Sequence, residues 1–295
     1  SPPASPRGAR LATERYKPMA VAATGALAIE GLAKTYETRT GGVVALERCD
    51  LTIAPGELVA IVGPSGCGKS TLANIVAGFD RPTAGRIRLD GRDIAAAHLA
   101  PRPGPDRVVV FQHGALFPWM SVLDNVMYGA LRLPGADPAV VRRNALDLLA
   151  RSGGLDAAAA RFPGQISSGM QRRVEIVRAL MTDPAVLILD EPFRAMDSVT
   201  KTRMHEHVLT LHETVPKTTL FITHDLQEAL LLADRVVVMT TRPGRIKQVV
   251  EVDLPRPRHT DTLGTEAFRA LKAATHAAVH EEAEKAFAQG ERELA

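Results

Sequence analysis

Long apolar runs are missing from this 295-residue chain. A helix needs about 18 to 20 consecutive apolar residues to cross a bilayer. The longest strings here are short pieces such as Leu58 to Val62 and Val186 to Leu189, so the chain is not expected to form a membrane pathway itself. Cysteine is nearly absent too. Only Cys49 and Cys67 occur, and Cys67 lies in a glycine-rich loop where a disulfide would cost mobility and access. Both are read as reduced thiols and the compartment as cytosolic. No charge excess marks the body of the chain: the formal net charge is +3, and residues 1 to 20 supply it through Arg7, Arg10, Arg15 and Lys17 against Glu14. That balance argues against a nucleic-acid partner, whose phosphates call for a basic surface, and leaves room only for a local patch. The Pro-, Ala- and Arg-rich start has neither the apolar centre of a secretory leader nor helical periodicity. Residues 1–23 are therefore expected to be a disordered extension. No internal repeat is present.

What remains is ordinary globular material, 45% hydrophobic and 23% charged, enough for one large domain or a domain with a subdomain. Apolar runs at Ala26 to Ala33 and Val43 to Ile53 precede the turn pair Pro55-Gly56 and predict an N-terminal β subdomain. Leu58 to Val62 then reads as a buried strand, followed by a glycine-rich loop and a helix from Lys69 to about Ala77. Strands are predicted at 86–89 and 107–111, with a surface loop at 101–105 between them. Residues from about 118 to 168 lack strand signals and predict an inserted helical subdomain. A helix at 169–182, a strand at 186–190, a helix at 198–215, and strands at 218–223, 235–240 and 246–252 follow, with a short helix at 226–233. Alternating strands and helices imply an α/β fold with a mostly parallel sheet covered on both faces. A linker with Pro255 and Pro257 leads to a last helix from Thr265, whose apolar stripe runs Phe268, Leu271, Thr275, Val279, Ala283, Phe287. That stripe packs on its own body or, alternatively, on a partner helix.

The chemistry is densest at Gly63-Pro64-Ser65-Gly66-Cys67-Gly68-Lys69-Ser70-Thr71, directly after a predicted strand and opening a predicted helix. This is the phosphate-loop pattern in the context it requires. Glycines let successive N–H groups curl around one anion at a helix N-terminus. Lys69 adds a charge for the β and γ phosphates, and the Ser70 hydroxyl is placed to ligate magnesium. Asp190 and Glu191 close the strand Val186 to Leu189. There Asp190 suits a magnesium ligand and Glu191 can polarise an attacking water, although acidic residues also end strands merely where the chain meets solvent. Gln112 and His224 likewise follow predicted strands and so share the carboxyl rim of a parallel sheet. Gln112 could sense magnesium or water, and His224 could reach the γ phosphate.

The segment Ile166-Ser167-Ser168-Gly169-Met170-Gln171-Arg172-Arg173 resembles the signature motif of ATP-binding-cassette ATPases, and the resemblance extends over roughly residues 26–254. It implies a P-loop ATPase domain at 24–254, ATP and Mg²⁺ as cofactors, and Tyr36 as the aromatic residue stacked on adenine. It makes Gln112 the Q-loop residue, Asp190 and Glu191 the Walker B pair, Phe193 to Asp197 the D-loop and His224 the switch histidine. Ser167, Ser168 and Gly169 are expected to act in trans, capping ATP held on a second ATPase subunit in a head-to-tail dimer. The resemblance also implies multi-span membrane permease subunits, an extracytoplasmic solute-binding protein, and a peripheral place on the cytoplasmic face of the inner membrane.

Two departures stand out. Ser168 occupies a position where the family usually has glycine, which predicts crowding of the opposing phosphate and slower turnover. Arg194 stands where a small residue is usual, and it is expected to reach across the dimer interface. Leu116-Phe117-Pro118-Trp119, Val122 to Val126, Arg242-Pro243-Gly244-Arg245-Ile246 and Asp253 to Arg258 resemble the nitrate, sulfonate and taurine importer group. That likeness places Phe117 and Trp119 in the groove receiving the permease; a Trp buried in the helical subdomain is the alternative. A soluble cassette ATPase without a membrane partner and a slow regulatory subunit remain as other readings. His276 and His280, four apart, lack a third metal ligand, and His205 and His207 carry no assignment.

Overall fold

A computed structural model of the chain describes residues 24–288 apart from 40 and 195. The expected N-terminal extension lies outside the described residues. Two sheets form the frame. In the first, β1 (Leu27–Thr38), β2 (Gly41–Ile53), β4 (Ala84–Leu89) and β5 (Arg92–Ala96) run antiparallel in the order β2-β1-β4-β5. Strand β5 was not expected from the sequence. It is made by the Asp90-Gly91 turn, both residues with positive φ (50° and 77°), the geometry a two-residue hairpin needs to match strand twist.

The second sheet has the order β10-β9-β3-β8-β7-β6, from β3 (Leu58–Val62), β6 (Arg107–Val110), β7 (Val186–Asp190), β8 (Thr218–Ile222), β9 (Arg235–Met239) and β10 (Ile246–Glu251). All its pairings are parallel except β9 with β10. Period-two alternation sends Leu58, Ala60 and Val62 of β3 into one core, with α5 (Ser198–Thr214), α6 (Leu226–Leu232) and α7 (Glu266–Ala288). Val59 and Ile61 point into the other, between α1 (Lys69–Ala77) and the antiparallel sheet. Every β3 side chain is buried, each larger one contributing about 1.5 to 3 kcal/mol by leaving water. All five carboxyl ends of the parallel strands therefore face one rim.

A third core lies among α2 (Val122–Ala130), α3 (Pro138–Arg151) and the front of α4 (Ser168–Leu180). Helix α4 is shared: Val174 and Val177 enter the helical layer while Ile176, Ala179 and Leu180 enter the sheet core. Side-chain caps start these helices, with Ser121, Asp137, Ser167, Asp197 and Asp225 each accepting a first-turn N–H. Helix α7 packs on the sheet body, but not along the whole expected stripe. Phe268 and Thr275 are buried, whereas Ala283 and Phe287 are exposed and Glu282 and Ala286 are buried in their stead. Polar pairing overrides the apolar pattern there: Glu282 accepts from the Thr241 N–H at 2.9 Å and from Lys247 and Lys285 Nζ at 2.8 and 3.0 Å.

Candidate nucleotide site

Strand β3 delivers Gly63 to the rim, and the chain then curls through Gly66 and Gly68, both with positive φ (76° and 98°), into the first turn of α1. A Cβ on Gly68 would lie 2.8 Å from the Ala45 carbonyl oxygen, so only glycine fits this close approach. Lys69 bends back along the loop and donates to the Gly63 and Pro64 carbonyls at 2.7 and 2.9 Å. Cys67 is fully buried, its thiol pushed up by burial, which makes it a poor nucleophile. Burial likewise pushes the Cys49 thiol up to about 11. Behind the loop stands Gly244, from the segment after β9. It donates to Ala45 O at 3.0 Å and accepts from Glu47 N at 2.9 Å, and a Cβ on it would meet the Cys67 carbonyl oxygen at 2.0 Å.

Asp190 and Glu191 end β7 beside this loop. Burial, then the Glu191 charge, raises the Asp190 carboxyl, opposed by the Ser70 hydroxyl and Lys69. Glu191 takes a positive φ of 43° and donates its N–H to Ile222 O at the end of β8 (2.9 Å). Its Oε2 lies 3.6 Å from His224 Nδ1. The neighbouring His224 holds the Glu191 carboxyl below its usual range, with Arg194 adding to the effect, and Glu191 in return raises His224. Arg194, expected to reach across a dimer interface, has its guanidinium 3.2 Å from Glu191 Oε2 of its own chain. With the Gln112 amide turned to satisfy its hydrogen bonds, Gln112 Oε1 accepts from Arg194 Nη1 and Nε at 2.9 and 3.1 Å.

These groups surround a cavity of about 360 Å³ whose walls include Tyr36, Ser65, Gly66, Gly68, Lys69, Ser70, Thr71, Gln112, Glu191 and Arg194. Tyr36 stands at its edge, hydroxyl donated to Asp80 Oδ2 at 2.8 Å. Lys34 Nζ lies 4.6 Å from the Tyr36 ring centre and 2.6 Å from Asp80 Oδ1. Asp80 was missed by the sequence reasoning; the only hint was that Lys34 and Tyr36, two apart, share a strand face. Arg172 lies within the signature segment. It donates to the Phe111 and Gln112 carbonyls at 2.6 and 2.7 Å, tying α4 to the segment that carries Gln112.

The signature residues lie elsewhere. Ser167 caps α4 by accepting from Met170 N at 3.3 Å, Ser168 is exposed, and Ser167 and Gly169 line a second cavity of about 490 Å³ with Arg173, Arg203 and His207. Trp119 is 71% exposed, which removes the buried alternative. It leans on Phe117, ring centres 5.6 Å apart, at a groove of about 390 Å³ that Phe111, Phe117, Tyr128 and Arg178 help to line. Buried Asn125 shapes that segment, donating to the carbonyls of Phe117, Met120 and Ser121. His276 and His280 stack with centres 5.5 Å apart, and among the described residues no group of His, Cys, Asp and Glu is arranged to hold a metal alone. No helix among them is long and apolar enough to cross a membrane.

The model of the ABC transporter family matches residues 46–194. The nitrate import ATP-binding protein NrtD of Synechococcus elongatus is 44% identical over 244 residues, covering 81% of this chain and 86% of that protein. The bicarbonate transport ATP-binding protein CmpD of a Synechocystis species is 44% identical over 243 residues, covering 81% and 83%. A dimeric post-hydrolysis structure of an ATP-binding cassette bound to ADP and Pi superposes with a TM-score of 0.66 at 30% identity, covering 78% of this chain and all of that one.

Proposed function

The chain belongs to the ATP-binding-cassette transporter family, and on that premise we propose that it energises uptake of a small anion of the nitrate or bicarbonate kind. It is an ATPase subunit. The observation that carries the assignment of its active residues is the convergence, on one rim, of the curled amide loop, the Lys69 ammonium, Asp190 beside Ser70, and the Glu191–His224 pair. Lys69 and the loop N–H groups would neutralise phosphate charge, with Tyr36 stacking on adenine. Glu191 would accept a proton from the attacking water as it adds in line to the γ phosphate, while His224 holds the carboxylate and reaches the phosphate oxygen.

A hydroxyl and a partly buried carboxylate side by side are hard oxygen donors, a set that suits magnesium completing its shell with phosphate oxygens and water. Ser70 and Asp190 would hold the ion, with the Gln112 amide as a further donor, and when bound it would offset charge on the phosphates. Ser167, Ser168 and Gly169 would cap the nucleotide of a second, identical or homologous, subunit. The exposed Trp119 beside an apolar groove supports a membrane permease as partner. With a solute-binding protein completing the system, the chain would sit on the cytoplasmic face of the membrane.

The test is Glu191→Gln. Loss of the water-activating carboxylate is expected to cut kcat about a hundredfold or more with ATP binding retained, measured as phosphate release and nucleotide binding on one preparation. Hydrolysis at the wild-type rate would remove Glu191 from the reaction.

A further inference from the structure

Arg194 links Glu191 to Gln112. It lies on the same turn as Glu191, its N–H donating to Glu191 O at 3.2 Å, whereas Gln112 opens the stretch running from β6 toward α2. One guanidinium spans both, with Nη1 at 3.2 Å from Glu191 Oε2 and Nη1 and Nε at 2.9 and 3.1 Å from the Gln112 oxygen. Its hold is shallow. The Arg194 side chain is 47% exposed, and ion pairs that solvated contribute little, about 0 to 1 kcal/mol. The guanidinium also forms part of the wall of the phosphate cavity, where an arriving triphosphate brings oxygens that take the fork geometry of arginine at least as well as one carboxylate does.

From this we infer that Arg194 is a positioning residue working in cis: before nucleotide arrives it ties Gln112 to Glu191, and a γ phosphate entering the cavity draws the guanidinium off both. The inference rests on the reading of Glu191 and Gln112 given above. ADP, lacking the γ phosphate, does not release the tie. The two groups needed for water and metal are thereby occupied until the triphosphate is present.

Arg194→Ala in the full chain tests it, with ATP and ADP affinities measured by displacement of a fluorescent nucleotide and steady-state hydrolysis run in parallel. ATP affinity is expected to fall about three- to fivefold, the range a half-exposed ion pair supplies, with ADP affinity unchanged and kcat equal to or above wild type. Arg194→Lys, a single point charge unable to bridge two acceptors, is expected to keep ATP affinity while giving the kcat of the alanine variant. A tenfold drop in kcat at unchanged ATP affinity would place the arginine in the transition state and overturn the proposal. Equal loss of ATP and ADP affinity, or no change in any constant, also overturns it. Repeating the binding pair in a Glu191→Gln background separates the two readings. The ATP-selective effect of Arg194→Ala must survive there even though chemistry is lost, whereas wild-type hydrolysis by Glu191→Gln alone strikes only the assignment of the glutamate.

Discussion

Asp80 fixes Tyr36 from a distance of 44 residues along the chain, accepting from the Tyr36 hydroxyl and from Lys34 together. Asp80→Asn keeps the size but removes the charge that holds Lys34, so the aromatic ring loses its fixed setting at the cavity edge. The expected outcome is a KM for ATP about tenfold higher, what a charged hydrogen bond of ~1.5 kcal/mol supplies, with kcat little changed. Steady-state kinetics decide it, and a fall in kcat at constant KM would count against this role. A second residue shows itself through pH. His207 is held down to about 4 by burial first and then by the charge of Arg173, and its buried Nε2 has no hydrogen-bond partner. Its folded value lies below the ordinary 6.5, so the neutral form belongs to the fold. Between pH 6.5 and 4 the unfolded chain binds a proton that the folded chain refuses, and stability falls as pH drops through that window. His207→Gln is expected to flatten the fall in Tm between pH 7 and 4.5; an unchanged slope would show that this histidine does not contribute. Neither Asp80 nor His207 was legible beforehand, because each acts through neighbours brought close only by folding. The phosphate loop, by contrast, is contiguous, and nine adjacent residues declare its geometry.

Elements were read well where one local pattern decides them and less well where tertiary pairing does. The buried strands β3, β7 and β8 appeared as short apolar runs, and the helices of the inserted layer as stretches without strand signal. Strand β5 escaped notice although Asp90-Gly91 is a hairpin signal, because it opens on the charged, exposed pair Arg92 and Asp93. In α7 the turn to Glu282 was hidden, since a buried carboxylate follows its cationic partners and not hydropathy. The segment after β9 offers a sharper test of how elements support one another. A methyl group on Gly244 would lie 2.0 Å from the Cys67 carbonyl oxygen and 3.0 Å from that of Ala45, both backbone atoms that can yield only if the phosphate loop shifts. Gly244→Ala is therefore expected to weaken ATP binding about tenfold or more and to lower Tm, as backbone displacement in a packed site costs on the order of 1 to 3 kcal/mol. Gly264→Ala, where nothing lies within 4 Å, should leave both unchanged. Normal ATP affinity in Gly244→Ala would mean that the loop takes no support from this segment.

At the scale of the whole molecule, the phosphate loop and the signature residues open into different cavities of one chain. A signature that is to meet a triphosphate must then meet one carried by another copy, and the matching cassette structure is itself a dimer. Ser168 allows the two forces on that helix end to be set against each other. Its side chain is exposed in the first turn of α4, where a negative charge favours the helix dipole by about 0.3 to 1 kcal/mol. The same charge would repel an arriving phosphate. Ser168→Glu is thus expected to leave Tm equal or slightly higher while abolishing the ATP-dependent doubling of mass expected for the Glu191→Gln chain in light scattering. Ser168→Gly, which clears the approach, is expected to raise hydrolysis in the otherwise unchanged chain. Stability and assembly move in opposite directions only if the helix end faces a phosphate, since a residue that merely caps its own helix would move them together. Persistence of the ATP-dependent dimer in the Ser168→Glu, Glu191→Gln chain would therefore reject a head-to-tail nucleotide sandwich.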